Sequence, residues 1–128
     1  MCQAKVAEFS ICQKLLEKAK DQLSAFKNGT FFDKSDKQEN LSEEEKYEFR
    51  FKYLKRLAPV GIVIDELVKV KKELWEEYCI HLCSGIVCNN QQSLEKANKL
   101  NKMYNEVDSL EVELRKERSA CRERIRLV

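Results

Sequence analysis

The sequence predicts an all-α protein, an up-and-down bundle of about four helices ending in a long, coiled-coil-like C-terminal helix. Three observations carry this. Charged residues make up 36% of the 128 positions, with 24 Lys and Arg interleaved among 22 Asp and Glu. Three Gly and one Pro leave little material for the turns of a sheet protein. Apolar residues then recur three and four positions apart, which lines up one face of a helix. A chain of this length suits one helical domain over 1–128.

The first helix is expected over about 5–27. Its seam of Phe9, Cys12, Leu16, Ala19, Leu23 and Phe26 steps 3-4-3-4-3, the rhythm of a bundle helix. Asn28-Gly29 ends it, since glycine takes the left-handed conformation that closes a helix C-terminus. A polar, flexible loop over 28–41 follows, with Phe31 and Phe32 expected to fold back as anchors; an exposed Phe-Phe docking motif is the alternative.

Ser42-Glu43-Glu44-Glu45 has the form of a capping box and opens a second helix over about 43–58. Tyr47, Phe51, Leu54 and Ala58 are expected to be its buried stripe. Pro59 lacks an amide donor and disfavours helical geometry at Ala58, and Gly61 follows, so a break is expected there. A third helix spans about 60–83. Its apolar arc from Val60, Val63, Ile64 and Leu67 to Leu74, Trp75, Tyr78 and Leu82 covers about half the circumference, as for a central helix with several neighbours. Lys71 lies within that arc and is expected to snorkel outward.

Ser84-Gly85 should end this helix, and Ser93 should cap the last one, over about 93–126. The last seam is Leu100, Met103, Val107, Leu110 and Leu114, continuing less regularly through Arg118, Cys121 and Ile125. At about 50 Å against about 35 Å for the first and third helices, this one should overhang its neighbours. Its seam is therefore the expected partner-binding surface, for a helical or coiled-coil protein or for a second copy.

Chemistry of other kinds finds little footing. Cys79, His81, Cys83 and Cys88 are ligand types close in sequence, but His81 points away from Cys79 on a helix, and no Cys-x-x-Cys pair is present. No metal is expected. The single histidine offers no second group to build a nucleophile–base pair, and three scattered glycines form no phosphate loop. No catalytic residue, cofactor or small-molecule substrate is expected, and the chain reads as non-enzymatic.

The expected function is that of a helical adaptor or structural subunit in an intracellular complex. An alternative is a nucleic-acid-associated factor using Arg115, Lys116, Arg118, Arg122, Arg124 and Arg126 against phosphates. Cations at a helix C-terminus also complement its dipole, which explains the same run structurally. A second alternative is a secreted, disulfide-linked cytokine-like or carrier protein built on the six cysteines and two Asn-x-Ser/Thr sequons. The opening residues hold no continuous apolar run of the secretory kind, and no segment is apolar enough to span a bilayer. The expectation is thus a cytoplasmic or nuclear protein with free thiols and no membrane partner.

Overall fold

The computed structural model describes the backbone from Cys2 to Val128 and the side chains from Cys12 onward. It contains three helices: α1 (Cys2–Lys27), α2 (Glu43–Val87) and α3 (Gln91–Leu127). No strand occurs among the described residues. Helices α2 and α3 form an antiparallel hairpin. Gly61 faces Arg118, Lys71 faces Asp108, Trp75 faces Tyr104 and Gly85 faces Leu94, a single register from end to end. Ion pairs from Lys20 to Glu106 and from Lys27 to Glu113 lay α1 along α3 in the same direction.

Three helices replace the expected four because Pro59 does not interrupt α2. A proline inside a helix deletes one backbone bond and crowds the preceding turn, at a cost of about 3 kcal/mol or more. Here Pro59 and Lys55, the residue whose carbonyl loses its amide donor, both lie on the exposed side of α2. Tyr53 and Leu57 before it, and Val60, Val63, Ile64 and Leu67 after it, are all buried on one continuous stripe. Burying six such side chains, at roughly 1.5–3 kcal/mol each, outweighs the local penalty. The 45-residue α2 then runs past the end of the 37-residue α3, and the expected overhang of the last helix is absent.

The two ends of α1 and α2 that meet the loop follow the sequence. Gly29 adopts a left-handed φ of 71°, and the amides of Gly29 and Thr30 donate to the carbonyls of Phe26 and Ala25. This closes the helix in a Schellman arrangement. Ser42 Oγ accepts from the Glu45 amide while Glu45 Oε1 accepts from the Ser42 amide, so the capping box is complete. The turn between α2 and α3 differs from expectation. Gly85 lies inside α2, where a Cβ would come within 2.5 Å of Leu94 Cδ2; glycine is needed there for close approach, not for a helix end. Asn89 takes the left-handed conformation instead, with φ 49°. Asn90, not Ser93, caps α3, its side chain accepting from the Gln92 and Ser93 amides.

The seams form one core. Cys12, Leu16, Ala19 and Leu23 of α1 are buried as expected, joined by Leu15, and Phe26 is partly buried. Phe9 lies outside the described side chains. Phe31 and Phe32 are buried against Phe49 and Tyr53, with ring centroids 4.7 Å apart for Phe32 and Tyr53. The two aromatics are therefore anchors, and they seal the end of the bundle where the hairpin opens.

The stripe expected to be buried in the first half of α2 is outside. Tyr47, Phe51, Leu54 and Ala58 are exposed, and the buried residues are Phe49, Tyr53, Leu57 and Val60. Both sets have helical spacing. The inner set wins because it alone meets both the loop aromatics and α3.

Candidate functional site

Three features stand out once the core is subtracted: a polar group inside the hairpin seam, a network that pins the loop, and an apolar stripe on the outside of α2.

Within the seam, Lys71 and Glu111 occupy facing core positions. Lys71 Nζ lies 2.9 Å from Glu111 Oε1 and 3.1 Å from Asp108 Oδ1, and Arg115 Nε donates to Glu111 Oε2 at 2.9 Å. Burial pushes the Glu111 carboxyl up, but the hydrogen bonds from Lys71 and Arg115 outweigh it and hold the group below its ordinary value. Lys71 does not snorkel into solvent; its ammonium is held across the hairpin, mainly by Glu111, which raises its pKa.

The loop is pinned by a second network. Tyr53 is fully buried; its hydroxyl accepts from the Asp33 amide at 2.9 Å and donates to Asp36. Arg56 donates to Asp33 and to the Phe31 carbonyl, and Lys52 bridges Asp33 and Asp36. Hydrogen bonds from Arg56 and then Lys52 lower the Asp33 carboxyl to about 2. The space beside this network is a shallow surface depression lined by Asp36, Lys37, Gln38, Glu39 and Asn40, with no nucleophile–base pair in it.

The outer stripe comprises Tyr47, Phe51, Leu54, Ala58 and Ile62, spread over about four turns on the exposed side of α2. Exposure reaches 71% at Tyr47, 61% at Phe51, 50% at Leu54 and 57% at Ile62. The rings of Tyr47 and Phe51 stack with centroids 6.4 Å apart and planes at 14°. Single exposed apolar residues are ordinary on any surface, but these five form a contiguous, helically spaced row.

The chain matches no protein-family model, no curated protein and no solved structure.

The residues singled out in the sequence fall as follows. Leu100, Val107, Leu110, Leu114, Cys121 and Ile125 are buried within the chain, while Met103 and Arg118 are partly buried. Helices α1 and α2 thus already occupy the seam expected to bind a partner. Of the C-terminal cations, Arg115 holds Glu111 and Arg126 pairs with Glu123. Arg124 stacks over Phe32 at 4.1 Å and donates to Gln38. Arg118 lies against Gly61, its Nε buried with no hydrogen-bond partner among the described residues. Lys116 and Arg122 form no ion pair there and remain on the surface.

Cys12, Cys79, Cys83, Cys88 and Cys121 are free thiols. No three His, Cys, Asp or Glu side chains converge as a metal site among the described residues, and His81 instead lies 3.5 Å from Glu77 one turn away. No described helix is long and apolar enough to cross a membrane. The outer stripe of α2 was present in the sequence as a 4-3-4 pattern; only its direction was hidden, because periodicity does not say which of two stripes faces in.

Proposed function

We propose that this protein is a non-enzymatic helical adaptor or structural subunit of an intracellular complex, acting by coiled-coil-type helix pairing. The observation that carries the reading is the exposed row Tyr47–Phe51–Leu54–Ala58–Ile62 on the outer face of α2. Such a face gains most by accepting a second helix, since helix-on-helix contact covers apolar rows at this spacing. Because α1 and α2 take up the seam of α3 inside the chain, the working surface moves from the last helix to α2. The free thiols fit a reducing compartment. Internal engagement of Arg115, Arg118, Arg124 and Arg126 favours a structural role for the basic run over phosphate binding.

A photo-crosslinking residue placed at Phe51 tests the reading against one placed at Glu95, an exposed position on α3. Cross-links to a protein are expected from position 51 and not from position 95. Equal yields from the two positions would sink the assignment.

A further inference from the structure

We propose that the outer stripe of α2 pairs with the same stripe of a second copy of this chain, the two α2 helices running antiparallel. The inference rests on the helix-pairing reading and names its partner.

The apolar positions Tyr47, Phe51, Leu54 and Ala58 step 4-3-4, and Gly61 follows three residues on. These are alternating d and a positions of a heptad, with Glu44 in the a position before Tyr47. A two-fold axis crossing the stripe between residues 52 and 53 makes the face complementary to itself. Phe51 of each copy then opposes Leu54 of the other, and Tyr47 opposes Ala58, a large side chain over a small one. Glu44 opposes Gly61.

The charges agree with this register. Glu48 and Lys55 lie seven residues apart on the same flank of the stripe, so the axis sets Glu48 of each copy beside Lys55 of the other. At the end of the stripe, Gly61 leaves open a position beside Arg118, whose Nη1 lies 3.5 Å from where a Cβ would stand. Arg118 is surrounded by Arg122 and Arg115, is relieved only by Asp65, and has a buried Nε lacking a partner among the described residues. Glu44, which forms no ion pair among the described residues, arrives from the second copy at this position. The acidic first turn of one α2 thus meets an under-compensated cation of the other molecule. Parallel pairing would instead stack Glu43, Glu44 and Glu45 on their counterparts and repeat the clash at Glu48 and Lys55. The two-fold, antiparallel arrangement sets Glu48 beside Lys55 twice and brings Glu44 to Arg118, where parallel pairing sets like charges together.

Four turns make a contact about 24 Å long, short for a coiled coil. So short a contact falls toward the small end of specific interfaces, and association is expected to depend on concentration. Sedimentation velocity over a concentration series should show the 15.1 kDa chain passing to twice that mass. Leu54→Glu should abolish the dimer, with circular dichroism confirming that the exposed substitution leaves the helices intact. Glu48→Lys and Lys55→Glu should each weaken association about tenfold, by setting like charges together twice. The double variant E48K/K55E should restore it, because the reciprocal pair re-forms with its signs exchanged.

A chain that stays monomeric at every concentration overturns the proposal, as does a dimer that E48K/K55E fails to rescue. If the chain is monomeric while position 51 still cross-links to a different protein, helix pairing stands and self-pairing falls. If position 51 also cross-links to nothing, both readings fall.

Discussion

The first half of α2 carries two apolar stripes on one helix, and they have opposite fates. Phe49, Tyr53, Leu57 and Val60 are buried; Tyr47, Phe51, Leu54 and Ala58 lie in water. Their composition barely differs, and the outer row has the more regular spacing. What separates them is polar company. Tyr53 carries a hydroxyl with two partners waiting in the loop, and Lys52 and Arg56 on either side of it reach the loop carboxylates. The outer row has no such anchors. Apolar spacing therefore marks candidate faces, while the loop aromatics, α3 and hydrogen-bonding neighbours decide which of them the chain covers by itself.

The sharpest way to test this contrast is to truncate one ring on each side. Tyr53→Ala should lower stability by about 3–5 kcal/mol in urea unfolding, through a core cavity and two stranded loop groups. Phe51→Ala, two residues away, should shift the dilute monomer by no more than about 0.5 kcal/mol. Equal losses would mean that the two faces are not distinguished as described.

The seam pair comes next in size. Lys71→Met leaves Glu111 buried with only Arg115 to hold it and should cost about 1–3 kcal/mol. The double variant K71M/E111M should recover most of that loss, since an apolar pair replaces an ionic one. A double variant as unstable as the single one would show that the charges stabilise the hairpin outright.

Acid should loosen the loop before the bundle. The Asp33 carboxyl is depressed, so its contribution is complete above its ordinary value of 3.8 and disappears as pH falls through about 2. Protection of the amides in residues 30–40, taken relative to their intrinsic exchange rates at each pH, should fall across that window, and Asp33→Asn should flatten the dependence. A loop whose protection ignores pH there would remove the Arg56–Asp33–Lys52 network from the account.

The smallest effect is chemical. Burial first, with Glu117 adding, lifts the Cys121 thiol to about 11; burial first, then Glu106, also raises Cys12. Alkylation at neutral pH should therefore label exposed Cys83 and Cys88 and spare Cys12 and Cys121 until the chain unfolds. Mass mapping of the labelled peptides would reveal any departure from that order.

The sequence disclosed most where a local device decides the outcome. Gly29 and the Ser42–Glu45 box mark helix ends because their hydrogen bonds close within a few residues. Phe31 and Phe32 were legible as anchors because two adjacent rings in a polar stretch have few other uses. What escaped depended on distant partners. Pro59 reads as a break until the stripe on both sides of it is seen buried against one neighbour. Gly85 reads as a helix end until Leu94 is found against it, and the overhang of α3 vanishes once α2 runs through. The candidate pairing surface escaped for the same reason. Its spacing reads equally well as a core stripe until the other stripe is seen to face α3 and the loop.

The ionic pair in the middle of the hairpin also fixes a length. Lys71 finds Glu111 in only one alignment; a slide of one heptad would set it against Arg118 or Tyr104. Helices α2 and α3 are thereby ratcheted together, much as a pawl stops a rack at one tooth. The result is a rod about 65 Å long whose two ends cannot drift relative to each other. Whatever attaches near the aromatic seal at one end and near the Asn89–Asn90 turn at the other would be held at a set separation. The hairpin thus fixes a distance as well as a register.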